Sequence, residues 1–220
     1  MFIGHFAVGL ASKRFAPSTS AGALILAPLF LDLLWPLFLL AGIETVRIDP
    51  GNTAFTPLDL HDYPWSHSLV MAIGWSLLVA AITAAVTRNR RAAVVMAIGV
   101  FSHWVLDFVT HRPDMPLYPG SATSVGLGLW NSTVATLLIE SAMFAGGIWI
   151  YTHATRPRDR TGRWAFVALI VLLVVFYLSA AFGPPPPNEK ALAITAVFMW
   201  LFVPWAWWID RNRTVVARQQ

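Results

Sequence analysis

The chain has 220 residues, of which 57% are hydrophobic and only 12% charged, with no cysteine and a net charge of +4. Soluble domains carry roughly 25% charged residues, so a surface this poor in charge suits lipid better than water. Without cysteine there are no disulfides, thiolate metal sites or thiol nucleophiles. The basic residues fall between apolar blocks rather than in a stripe interleaved with aromatics, which argues against a nucleic-acid surface.

The chain opens on an apolar segment, residues 1–11, too short to cross a bilayer and without a basic n-region or a small-residue cleavage site. It predicts a short helix that packs against or enters a bundle, with the first span acting as an uncleaved signal. Apolar blocks follow at 21–43, 67–87, 92–110, 129–151, 164–182 and 191–209. Each is near the roughly 20 residues a membrane helix needs. The expected fold is an all-α polytopic membrane helix bundle: six transmembrane helices plus the short N-terminal helix, in one integral membrane domain over 1–220. The chemistry-bearing residues lie within 1–140, and the last two helices, 164–209, read as scaffold.

Lys13 and Arg14, then Arg88, Arg90 and Arg91, then Arg156, Arg158, Arg160 and Arg163, then Arg211, Arg213 and Arg218 all fall on one side of a six-span threading. The positive-inside rule makes that side, and the C-terminus, cytoplasmic. Trp65, Trp130, Trp149, Trp164, Trp205, Trp207 and Trp208 sit near span ends and read as interfacial anchors. Pro184–Pro187 is a stiff connector, and Asn188 is placed to cap the last span.

Ionisable residues inside a bilayer cost about 2.5–3.5 kcal/mol each on insertion scales and mark function when they persist. Asp32 lies mid-span, four residues before Pro36, whose missing N–H frees the Asp32 carbonyl and predicts a kink. His103 and Asp107 are four apart, on one helix face and about 6 Å apart along the axis, a spacing that suits two ligands of one metal. His111 lies about 12 Å from His103 on a continued helix, so it binds a second ion, contacts substrate, or is an interfacial histidine. His67 opens the second span, with Ser66 as a candidate cap; His61 and Asp62 before it are weaker candidates. His5 sits among small and apolar residues of the opening helix. Glu140 is mid-span, a candidate ligand, proton acceptor or partner orienting a histidine. Arg112 could hold an anionic head group. Nitrogen and oxygen ligands without sulfur suit zinc first, then manganese or iron(II).

His5, Pro28–Asp32, Ser66-His67-Ser68, Ser102-His103 through Asp107, Thr110–Tyr118 and Gly126–Ser132 together resemble the YdjM-like family of bacterial inner-membrane proteins, described as metal-dependent hydrolases. The resemblance covers roughly 1–140. That family is similar at a distance to the zinc-dependent phospholipase C and S1/P1 nuclease enzymes. The resemblance implies a principal metal site of Asp32, His67, His103 and Asp107, with His5 sharing Asp107 with a neighbouring ion and His111 and Glu140 serving another. The pair that completes the soluble enzymes' cluster is absent, because Thr136 rather than a histidine stands four residues before Glu140. One or two zinc ions are expected rather than three. The implied activity is hydrolysis of a phosphoester or lipid from the outer face, with Asp32 or Glu140 accepting the proton. A metal or proton transporter and a non-catalytic scaffold are the competing readings.

Overall fold

A segment apolar on every face has nowhere to go but lipid or the interior of a bundle, and both destinations are used here. The computed structural model describes residues 1–216, and Arg218 lies outside the described residues. In chain order the elements are α1 (Ile3–Ser12), α2 (Ala21–Leu40), β1 (Thr45–Ile48), β2 (Leu58–Asp62), α3 (Pro64–His67), α4 (Leu69–Thr87) and α5 (Arg90–Thr110). There follow β3 (Met115–Pro116), β4 (Ser124–Val125), α6 (Thr133–Ala154), β5 (Thr155–Pro157), α7 (Arg160–Phe182), α8 (Glu189–Val197), α9 (Phe202–Arg211) and β6 (Arg213–Val215). A 3-10 turn, Phe198–Leu201, joins α8 to α9 into one span, so six helical segments are long and apolar enough to cross a membrane.

α1 is the short opening helix, and it lies inside the bundle against α2, α5 and α6, with His5, Phe6, Ala7 and Leu10 all buried. Glycine makes the close approach. A Cβ on Gly9 would stand 2.9 Å from the Ile25 Cα, and one on Gly147 would stand 2.6 Å from the Ala7 Cα and carbonyl oxygen. Small residues that let backbones touch are how helices associate where no hydrophobic force distinguishes protein from lipid. The free amides at the start of α1 are met by a carboxylate: Glu140 Oε2 accepts from Phe2 N at 2.9 Å and Gly4 N at 3.4 Å.

α2 is the central span and is continuous through Pro28 and Pro36. Its start is capped by Ser20, and the last span is capped by Asn188, which accepts from Ala191 N at 2.8 Å. The cap expected of Ser66 belongs instead to Ser68, which accepts from Met71 N. Ser66 and His67 lie in the separate turn α3, because Ser68 is extended and breaks the helix there. The connection between α2 and α3 is an antiparallel β1–β2 hairpin that no apolar pattern announced, and a second small hairpin, β3–β4, follows α5.

The basic segments gather at the opposite end. Asn89 reaches Ser18, β5 pairs with β6, and Lys13 Nζ donates to Asp210 Oδ2 at 2.7 Å and to the Thr19 carbonyl at 2.9 Å. Lys13 is buried, and the Tyr151 hydroxyl is the other donor to Asp210, at 3.4 Å. Replacing Lys13 by methionine keeps the stem and strands the carboxylate. Breaking such a pair costs about 3 kcal/mol, so the thermal midpoint in detergent should fall by about 10 °C. An unchanged midpoint would mean that the pair contributes nothing.

Candidate metal centre

Asp32 lies eight residues before the end of α2, about 12 Å along its axis. α5 crosses α2 closely there because Gly99 has no side chain; a Cβ would stand 2.8 Å from that of Ala27. One turn further on, His103 turns its Nδ1 to the Pro28 carbonyl at 2.6 Å. A carbonyl only accepts, so His103 Nδ1 carries a hydrogen and Nε2 is left to face Asp32, His67 and Asp107.

The same reasoning fixes His67. Ser66 gives Glu44 both its backbone N–H and its hydroxyl hydrogen, each at 2.7 Å. Its hydroxyl oxygen, 2.6 Å from His67 Nδ1, therefore accepts from that nitrogen. Burial raises the Glu44 carboxyl above its ordinary value, while the bonds from Ser66 draw it back. His111 follows the same rule: its Nδ1 lies 3.1 Å from the Asp114 carboxylate and 3.1 Å from the Tyr63 hydroxyl. Burial first, and then Asp114, hold the Tyr63 phenol well above its ordinary pKa, so it stays protonated and donates to Asp114.

Three imidazoles thus hold their hydrogens outward and aim Nε2 inward. His103 Nε2 stands 3.2 Å from His67 Nε2, 3.0 Å from Asp107 Oδ2 and 3.7 Å from Asp32 Oδ1. His67 Nε2 is 3.5 Å from Asp32 Oδ1 and 3.8 Å from Asp107 Oδ2, and His111 Nε2 is 3.7 Å from Asp107 Oδ2. These are atoms of metal-ligating type facing one another. Tetrahedral zinc with nitrogen and oxygen ligands at about 2.0–2.1 Å spaces them roughly 3.4 Å apart, in the middle of the separations found. The donor set therefore fits a hard or borderline divalent cation.

The remaining candidates occupy distinct places. His5 stacks on His103 with ring centroids 3.8 Å apart and turns Nε2 to Asp107 Oδ1 at 3.1 Å. That oxygen also meets the Met1 amino group at 2.5 Å, leaving Oδ2 to the cluster. Asp32, His67 and His103 form one group at metal-sharing distance, and His5, His103 and Asp107 a second, overlapping one. His111 caps the end of α5 with its backbone N–H on the Asp107 carbonyl at 2.7 Å, so the two side chains stand one helical turn apart and Nε2 comes to 3.7 Å from Asp107 Oδ2. Glu140 lies outside both groups and holds the start of α1. Arg112 is engaged by Asp59 at 2.5 Å and at 3.4 Å by Asp114, the carboxylate that also holds His111. Trp130 is no simple interfacial anchor: its ring packs 4.3 Å from His111 and stacks on Phe55. Glu44, Tyr63, Asp114 and the Pro28 carbonyl orient the histidines; Pro28 and Asp114 fall in segments that carry the family resemblance, whereas nothing in the sequence around Glu44 and Tyr63 marks them for that work.

A cavity of about 240 Å³ borders the cluster, with Asp32, His67, Asp107 and His111 on one wall. Of the four clustered side chains Asp32 is the accessible one, 24% exposed, while His67, His103 and Asp107 are closed off.

Fold and cluster together define a multi-pass membrane helix bundle with a buried His/Asp centre near one end. The family model for the YdjM inner membrane protein matches residues 1–183, and the chain belongs to that family. The match runs beyond Glu140 and takes in all of α6 and α7. No curated protein and no solved structure matches the chain.

Proposed function

We propose that the chain is a membrane-embedded, metal-dependent hydrolase of phosphoesters, with a divalent ion, zinc in the first instance, held by Asp32, His67, His103 and Asp107. The observation that carries this reading is the convergence of two imidazole Nε2 atoms and two carboxylate oxygens, contacts of 3.0–3.8 Å, in a buried place. His5 and His111, each against one Asp107 oxygen, are candidates for a second ion.

The chemistry an ion supplies in such a site is polarisation of a phosphoryl oxygen and activation of water near neutral pH. The chain's own part is to hold the ligands in register through Ser66–Glu44, Tyr63–Asp114 and the Pro28 carbonyl. Asp32, accessible from the cavity, is the group placed to take a proton there. By the positive-inside rule the basic end and C-terminus face the cytoplasm, and the centre works from the outer face.

A transport path would need ionisable groups continuing past the cluster. On that side α1 buries Phe6, Ala7 and Leu10 against Ile25 and Phe202, which favours a closed site over a through-path. Elemental mass spectrometry on detergent-purified protein tests the reading, with wild type beside His103→Ala/Asp107→Ala. One or two ions per chain are expected, falling to background in the double variant. No metal in the wild type, even after reconstitution with zinc, manganese and iron(II), sinks it.

A further inference from the structure

The cavity beside the cluster takes its carboxylates and imidazoles from Asp32, His67, Asp107 and His111. Most of the remaining lining is apolar, including Phe55, Leu60, Trp130, Leu192 and Met199. A second cavity, about 510 Å³, adjoins it and shares Thr56, Leu58, Ala180 and Leu192 with it. The second cavity lies between the end of α7 and the start of α8, under the Pro184–Pro187 connector. No lysine, arginine, aspartate or glutamate lines it.

The two spans on either side of this space are differently anchored. α7 packs on α9, whereas α8 packs on α2 and β1. Four consecutive prolines form a stiff extended segment that donates no backbone hydrogen bond, and here they hold the two ends apart. The flanks of the opening are lipid-facing surface: Leu178 and Phe182 on α7, Ile194 on α8 and Phe198 in the 3-10 turn after it are all strongly exposed. The opening is thus continuous with the face the bundle turns to the bilayer.

We propose, building on the hydrolase reading, that the substrate is a long-chain lipid phosphoester that enters sideways from the bilayer between α7 and α8. Its hydrocarbon chain lies along the two apolar cavities, and its phosphoester rests at the wall formed by Asp32, His67, Asp107 and His111. Lipid tails are as apolar as leucine, so the walls add little affinity over the membrane itself. They admit a chain without a dehydration cost and offer a water-soluble phosphoester no charged partner before the cluster, only the hydroxyls of Thr56, Ser179 and Thr195. Discrimination then falls to the head group. On this reading the last two spans are one side of the substrate path as well as scaffold.

The test uses the full chain in vesicles of phosphatidylethanolamine and phosphatidylglycerol that carry a phosphatidylglycerol with a diazirine at its chain end. After irradiation, labelled peptides are mapped by mass spectrometry. Labelling should concentrate on Ala180, Leu192 and Met199 over the lipid-facing Val171 and Phe176. Excess unlabelled phosphatidylglycerol should displace it, and glycerol phosphate, the same head without a chain, should not. Ala180→Trp fills the junction between the cavities from an unpacked position on α7, and should cut labelling at Met199 at least tenfold. Metal content, measured on the same samples, reports the hydrolase reading separately and should not change in Ala180→Trp. Labelling spread evenly over the outer surface, labelling at Met199 undiminished by Ala180→Trp, or displacement by glycerol phosphate would each overturn the proposal. Selective labelling in a wild-type protein without metal would remove the catalytic reading and leave a lipid-binding cavity.

Discussion

Asp32→Asn should stabilise the metal-free protein and, in the same variant, abolish the stabilisation that zinc gives the wild type. Asp32 approaches His67 and His103 at 3.5 and 3.7 Å, with no shorter bond to either ring. In a metal site without its metal, that carboxylate is one more unshared charge among lone pairs. Neutralising it at constant size relieves repulsion worth about 1–2 kcal/mol, typical of coupling between neighbours in one network. With ion present the sign reverses. Zinc at roughly 1,000 times its dissociation constant adds about 4 kcal/mol to a protein that binds it only when folded, or about 10 °C for a chain of this size. The variant should forgo nearly all of that.

The measurement is thermal unfolding in detergent, wild type and Asp32→Asn, each after chelation and again after zinc is returned. The opposite signs give the experiment its discriminating power. If the cluster were structural, with His67 or His103 carrying a second proton and paired to Asp32, the substitution would break a buried ion pair. The metal-free protein would then lose about 3 kcal/mol or more. A lower midpoint for the chelated variant would therefore decide for the scaffold reading.

The six spans were legible because lipid imposes a pattern readable along one dimension: an unbroken apolar run of the right length. Their ends shifted only where capping decided, as with Ser68 in place of Ser66. Asp32, His67, His103 and Asp107 were legible for a related reason, since ionisable groups in such runs are rare. The residues that orient them were not. Glu44 and Tyr63 lie in the connection that carries the β1–β2 hairpin, where an acid or a tyrosine is ordinary. Their role appears only when that connection folds back over His67 and His111. Glu140 had the right rarity and a different use. Its carboxylate answers the unpaired amides of α1, which sequence spacing cannot bring beside α6. His111 joins the cluster through Asp107, one helical turn before it, a neighbour that a spacing counted from His103 leaves out. The last two spans contain no ionisable residue across their apolar cores, and so a reading keyed to charge passed over the cavity wall they form with Ala180, Leu192 and Met199.

What makes a ten-residue helix part of the site is the fit of its backbone, and Gly147→Val should show it. A Cβ at 147 would stand 2.6 Å from the Cα and carbonyl oxygen of Ala7. Both obstacles are backbone, so no rotamer change can clear them, and α1 has to move. Moving it strands the Glu140 carboxylate that Phe2 and Gly4 now occupy and withdraws His5 from Asp107. Overpacking of this kind costs about 3 kcal/mol, with the lost buried hydrogen bonds adding about 1–3 kcal/mol. The expected fall in thermal midpoint is at least about 10 °C. Gly146→Val is the control, because a Cβ there meets nothing within 4 Å; it shares the β-branched cost in a helix but should stay within about 0.5 kcal/mol of wild type. Zinc stoichiometry measured on the same preparations should fall in Gly147→Val and hold in Gly146→Val, because His5 and the Met1 amino group at the start of α1 hold Asp107 Oδ1. Equal midpoints for the two variants would mean that α1 is an ornament on the bundle and that His5 has no fixed part in the centre.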